Sequence, residues 1–309
     1  MKKSMQLASK AIAVAVIGMT MAPLYAQLPD HLRDYSLAAQ RDRGDIVAPM
    51  FNGWIANEDG STTIIFGFAN KNQKEIVDVP LGPNNFIEPA QFDGGQPTHF
   101  PAYRRGGFVG LQERGVFAVT VPKDMKGTEV VWTLTHAGHT YSVPGRAKSP
   151  AYEMSSDPAA LGSLNPAIRF AMNGPESTNR AGIYAPRVTA SVGKPVTLAA
   201  YAQDRGERDE YELDRLIFPL GTEWILHQGP AEPSFEVARV TGRERGTEGG
   251  ESGATASTNG WTEVTVQATF PAPGDYVIRL RVDNFEAEDS QFDNQCCWSN
   301  AYVPVTVTP

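Results

Sequence analysis

Cysteine is almost missing from this 309-residue chain: there are two, Cys296 and Cys297, side by side in "FDNQCCWSN". A cross-linked framework is therefore excluded, and the chain is long enough to bury a core without one. Long apolar runs are missing after the first 26 residues, so no later segment approaches the about 20 residues that a membrane helix requires. Also missing are a G-x-S-x-G elbow, an H-E-x-x-H helix, a P-loop and a dinucleotide fingerprint. Their absence removes the motif arguments for an enzyme, although catalytic groups can still converge from distant loops. Positive charge is scarce as well, with 27 Lys and Arg against 35 Asp and Glu. An acidic chain is a poor polyanion binder, which excludes nucleic acid as the expected partner.

What is present begins with MKKSMQLASKAIAVAVIGMTMAPLYA, where Lys2, Lys3 and Lys10 precede an apolar stretch and a small residue, Ala26. That order predicts a secretory signal peptide over 1–26, cut before Gln27. The competing reading, an uncleaved anchor, needs a longer run than one interrupted by Thr20 and Pro23. With the three leader lysines removed, 24 basic residues face 35 acidic ones, net −11. The expected location is the periplasm or the cell exterior, with no transmembrane segment in the mature chain.

Hydrophobic periodicity is that of strands. In "STTIIFGF" Ile64, Phe66 and Phe68 share one face, and Thr63, Ile65 and Gly67 the other. An Asp59-Gly60 turn signal precedes that run, and similar alternation recurs through Phe117, Val119 and Val121 and through Val130, Trp132 and Leu134. After a polar arm over 27–45, residues 46–147 are expected as an antiparallel β-sandwich with one face of each sheet buried and one wet. Alternation lapses over 148–180, read as a linker with one short strand in "AIRFAM". It returns over 181–309, where Tyr276, Ile278, Leu280 and Val282 point inward, Arg279 and Arg281 outward, and Pro304 marks the last strand as an edge. The Gly- and charge-rich stretch 241–260 is expected as a mobile insert. The fold class is all-β, two sandwiches after a cleaved leader.

The order "GKPVTLAAYAQD", "EWILHQGP", "TFPAPGDYVIRLRVDN", "VPVTV" resembles a polycystic-kidney-disease or immunoglobulin-like domain, with "PGDYVIRLRV" as its most specific part. The resemblance covers about 115 residues of the carboxy-terminal half and implies an immunoglobulin-like sandwich with a central tryptophan at Trp224. The amino-terminal half, with "NGW", "GPNNFIEP" and "GQPTHF", is similar to exported bacterial proteins of unknown function, and that resemblance brings no activity with it.

Candidate sites each have a plainer alternative. Asp283, Asn284, Glu286, Asp289 and Asp293, with Glu288 and Asn294 nearby, offer hard oxygen ligands for calcium, although the spacing is not that of an EF-hand and a solvated acidic loop fits too. Trp54, Trp261 and Trp298 lie beside loop residues and could stack on a sugar ring, or be packing. His136 and His139 flank Ala137-Gly138, so a two-residue hairpin would pair them across strands. Cys296 and Cys297 have Cα atoms about 3.8 Å apart, below the usual disulfide span of about 4.4–6.8 Å, so a bond between them needs a strained turn. In an oxidising compartment the expectation is a vicinal disulfide, ahead of free thiols or an intermolecular bridge. The function this supports is a non-enzymatic binding or structural module that presents loops to a glycan or an envelope protein, with no cofactor unless calcium. The alternative is a hydrolase or metal-dependent enzyme with a cleft between the domains, where His99 or His227 would meet carboxylates.

Overall fold

The computed structural model describes residues 41–102, 112–155, 157, 164–177, 180–206, 220–240, 260–283 and 298–309. The leader, the arm up to 40, Cys296, Cys297, Asn284, Glu286, Glu288, Asp289, Asp293 and Asn294 lie outside the described residues, as does nearly all of the 241–260 insert. Among the described residues there is no α-helix, and no helix is long and apolar enough to cross a membrane.

The first sandwich contains β1 (Val47–Ala56), β2 (Thr62–Asn70), β3 (Val77–Asp78), β4 (Asn85–Glu88), β5 (His99–Phe100), β6 (Gln112–Val121), β7 (Val130–His136) and β8 (His139–Gly145). One sheet runs β1-β2-β6 and the other β4-β7-β8, with β3 and β5 as a separate pair, all antiparallel. This division of consecutive strands between two sheets is the immunoglobulin-like pattern. Between the sheets Phe66, Phe117 and Trp132 form an aromatic centre, Phe117 and Trp132 meeting edge to face at 5.1 Å. The buried indole needs an acceptor and finds Asn85 Oδ1 at 3.0 Å, while Asn85 Nδ2 donates to Val79 and Pro97 carbonyls.

The second sandwich contains β9 (Ala167–Arg169), β10 (Glu176–Ser177), β11 (Ile183–Tyr184), β12 (Val188–Ser191), β13 (Pro195–Gln203), β14 (Gly221–Gln228), β15 (Ser234–Phe235), β16 (Arg239–Val240), β17 (Thr262–Thr269), β18 (Gly274–Asp283) and β19 (Trp298–Thr308). Its sheets run β10-β9-β13-β17-β15 and β11-β19-β18-β14-β16, with β12 also parallel to β19. Two local marks confirm the immunoglobulin-like assignment. Trp224 is buried on β14, and Tyr276, near the start of β18, donates its hydroxyl to Ala272 O at 2.8 Å, the tyrosine corner of such sandwiches.

Three expectations change. Within 148–180, β9 falls in "AIRFAM", where the sequence predicts a short strand, but it pairs with β13 and β10 pairs with it, so that part of the stretch belongs to a sheet of the second sandwich and not to a linker. The last strand is not an edge: β19 has β18 on one side and β11 and β12 on the other, and Pro304 falls in the gap between those two short partners, where it has no opposite residue. The β1-β2-β6 sheet is not wet on its outer face. Ile65 there is buried with Ile55, Met154 and Trp298, because the second sandwich covers it.

Candidate functional site

The covering begins with a defect in β6. Opposite β2 the register slips between Phe66 and Phe68, where Gly67 faces three residues, Arg114, Gly115 and Val116. Gly115 takes φ +61, a left-handed conformation that glycine adopts without strain. A side chain there would also collide with the Trp298 indole. The resulting bulge turns three successive carbonyls away from the β2 ladder, and each must find another donor.

Those donors come from the outer face of β18 and β19. Arg281 Nη1 donates to Arg114 O at 3.0 Å. Trp298 Nε1 and Asn300 Nδ2 donate to Gly115 O, at 3.3 and 2.6 Å. Arg279 Nη1 and Tyr302 Oη donate to Val116 O, at 3.1 and 3.0 Å. Arg279 also forms an ion pair with Glu113, and both residues are 1% exposed. Arg279 and Arg281 do leave the second sandwich outward, as their alternation predicts, but they enter the first sandwich instead of solvent.

A second contact line lies beside β5. Thr98 N donates to His227 O at 2.8 Å, Gln228 Nε2 donates to Gly94 O and Gln96 O, and His227 Nε2 donates to Gly95 O at 2.9 Å. Burial, with the Arg279 charge adding to it and the Gly95 carbonyl opposing, pushes the His227 pKa down to about 3. Burial likewise raises Tyr302 above the ordinary tyrosine range. Both rings are therefore neutral at physiological pH. These contacts hold Arg41–Pro309 as one compact unit.

Of the tryptophans considered for sugar stacking, Trp298 is 4% exposed, with Arg180 Cζ 4.2 Å from its ring centroid. Trp261 is equally buried under Arg169, at 3.8 Å. Guanidinium groups occupy the ring faces that a pyranose would need, so both are corrected to packing residues. Trp54 is half-buried and donates Nε1 to Ser149 O at 3.1 Å. Asp283 is nearly buried and accepts from Arg281 Nε at 3.4 Å. Among the described residues no group of three or more His, Cys, Asp or Glu could hold a metal. His136 and His139 are cross-strand partners around Ala137 and Gly138, both at positive φ.

One cleft and one histidine–carboxylate cluster touch the joint or its margins. A polar cleft of about 590 Å³ opens between the sandwiches, lined by Asn57, Asp59 and Thr120 on one side and Asn165, Arg180 and Arg205 on the other. The Ser61 hydroxyl and amide hold the Asp59 carboxyl below its usual range. On another margin, buried His99 has Asp78 Oδ1 2.7 Å from Nδ1 and Glu232 Oε1 3.9 Å from Nε2, one carboxylate from each sandwich. His99 and His227 are marked in the sequence by residue type, whereas Glu113, Gly115, Asn300 and Tyr302 carry no such mark. A lone glycine inside the alternating run of β6 was the available signal for the bulge.

No protein-family model matches the chain, and neither does any curated protein. Among solved structures, the D0-D1 domain of intimin is 12% identical, covering 84% of this chain and 97% of that one, with a TM-score of 0.25. Domains 4 and 5 of the S-layer protein SbsC are 13% identical over 62% of this chain and 69% of that one, at a TM-score of 0.23. The adhesin InvE of Yersinia pseudotuberculosis is 9% identical over 85% and 58%, at 0.22. At such scores these likenesses carry no argument, and the immunoglobulin-like assignment rests on strand order and the Tyr276 corner.

Proposed function

We propose that the chain is an exported, non-enzymatic binding or structural module of the bacterial envelope. In this reading residues 1–26 are removed in export, and two immunoglobulin-like sandwiches are held at a fixed angle to present their end loops to a glycan or protein partner. The observation that carries it is the joint: three bulge carbonyls find their donors, and Glu113 its counter-ion Arg279, only while the two sandwiches stay together. Opening it would break five hydrogen bonds to the bulge carbonyls, each worth about 0.5–1.5 kcal/mol net, and expose the apolar contacts of Ile55, Ile65 and Trp298, so the module behaves as a stiff spacer and not as a hinged clamp.

The test is retention. Mature protein beginning at Gln27 should be recovered from the envelope or medium and should be retained by isolated envelope material at physiological salt. Protein that keeps Met1 while soluble, or that passes through such material unretained, contradicts the reading. One observation favours a second reading, a hydrolase working at the sandwich margin: His99 meets carboxylates from both halves. Turnover of ester, amide or glycoside substrates that is abolished by His99→Ala would establish it in place of the first.

A further inference from the structure

A groove of about 380 Å³ lies along the free margin of the second sandwich, lined by β17 from Glu263 to Gln267, by Trp224, and by Glu236, Val237 and Val240 beside β15 and β16. The geometry of β17 makes this margin a strand edge. On one side β17 pairs with β13 along its whole length, but on the other β15 covers only Ala268 and Thr269. Glu236 N donates to Gln267 O, which fixes the direction of Gln267 and, by alternation, of Thr265 and Glu263. The N–H and C=O groups of Thr265 and Glu263 therefore face the groove, with no strand opposite them among the described residues.

Two further features point to a ligand of defined chemistry. Trp224 is buried, lines the groove, and among the described residues its indole Nε1–H has no acceptor, a donor whose burial is costly unless something supplies one. Glu236 and Glu263 bring two carboxylates to the same groove, and among the described residues neither is paired with a cation. Val237, 58% exposed, gives the rim an apolar contact.

We propose that this groove is a strand-addition site for an extended peptide carrying basic side chains. The peptide lies alongside Glu263–Gln267 and exchanges main-chain hydrogen bonds with Glu263 and Thr265. One of its oxygens accepts from Trp224 Nε1–H, and its lysine or arginine side chains sit between Glu236 and Glu263. Main-chain bonding supplies affinity and the carboxylates select charge. The proposal rests on the binding-module reading and names the partner chemistry for one site of it.

The experiment uses the mature chain and two fluorescent octapeptides, Lys-Thr-Val-Thr-Val-Thr-Val-Lys and its counterpart with glutamate at both ends, read by fluorescence polarisation. The basic peptide should bind, and the acidic one should bind at least about tenfold more weakly. Thr265→Pro, which removes an N–H on the groove side only, and Glu236→Lys should each weaken binding by about tenfold or more with the far-ultraviolet spectrum unchanged. Trp224→Phe, which keeps an aromatic side chain and loses the donor, should cost about fivefold. No binding up to about 1 mM, or binding indifferent to Thr265→Pro and Glu236→Lys, overturns the proposal. So does binding that appears only when 243–257 is deleted, which would make the chain's own insert the occupant, or self-association that Thr265→Pro abolishes. Envelope retention of the Thr265→Pro variant, measured in parallel, separates failure of this groove from failure of the module reading.

Discussion

Replacing Arg279 by methionine removes the cation from the most buried charged pair in the described structure. Glu113 would be left 1% exposed without a counter-ion, with Oε2 already lacking a hydrogen-bond partner among the described residues. Breaking a buried pair in this way costs about 3–5 kcal/mol. The Val116 carbonyl is not orphaned, because Tyr302 Oη still donates to it at 3.0 Å. Glu113→Gln keeps the shape and a neutral acceptor, so it should cost less, about 1.5–3 kcal/mol. The double variant Glu113→Leu with Arg279→Met removes both charges together and should cost less than Arg279→Met alone. Urea denaturation followed by tryptophan fluorescence reads all three, since Trp298 lies in the same joint. For a chain of this size Arg279→Met should lower Tm by roughly 10 °C. An Arg279→Met cost below about 1 kcal/mol, or a double-variant cost no lower than that of Arg279→Met alone, refutes the reasoning.

Gly115→Ala should destabilise by about 2–4 kcal/mol, because φ +61 strains any side chain and the new Cβ strikes the Trp298 indole; an unchanged denaturation midpoint would mean the bulge is not formed. His227 titrates at about 3 when folded against about 6.5 unfolded, so its contribution is complete above pH 6.5 and is lost as pH falls toward 3. Between pH 7 and pH 4.5 that amounts to about 2–3 kcal/mol, and His227→Gln should flatten this part of the acid-stability curve relative to the native chain; parallel curves contradict it. For Cys296 and Cys297, intact mass of alkylated, non-reduced mature protein should show no added alkyl groups on a monomer, whereas two added groups or a reducible dimer defeat the vicinal disulfide.

Alternation along the strands made the two sandwiches legible, down to the inward set Tyr276, Ile278, Leu280 and Val282. It reports which face of a sheet a residue takes, however, and not what covers that face. Arg279 and Arg281 illustrate the limit: their direction followed from period two, but their burial depended on a bulge in β6 more than 160 residues earlier. Trp261 and Trp298 stand next to polar residues in sequence, and only tertiary packing places arginines over their rings. Pro304 marked an edge by its missing N–H, which was correct for one side of a single position and not for the strand. The groove beside β17 was hidden for the same reason, since an edge left open among the described residues becomes visible only when the neighbouring strands are counted.

The central claim is that two immunoglobulin-like sandwiches are welded through the Arg114–Val116 bulge into one module. Differential scanning calorimetry of the mature chain tests it most directly. The account predicts a single transition whose calorimetric and van't Hoff enthalpies agree, and which shifts as a whole in Arg279→Met. Two resolved transitions in the native chain, with only one of them moved by Arg279→Met, would contradict it.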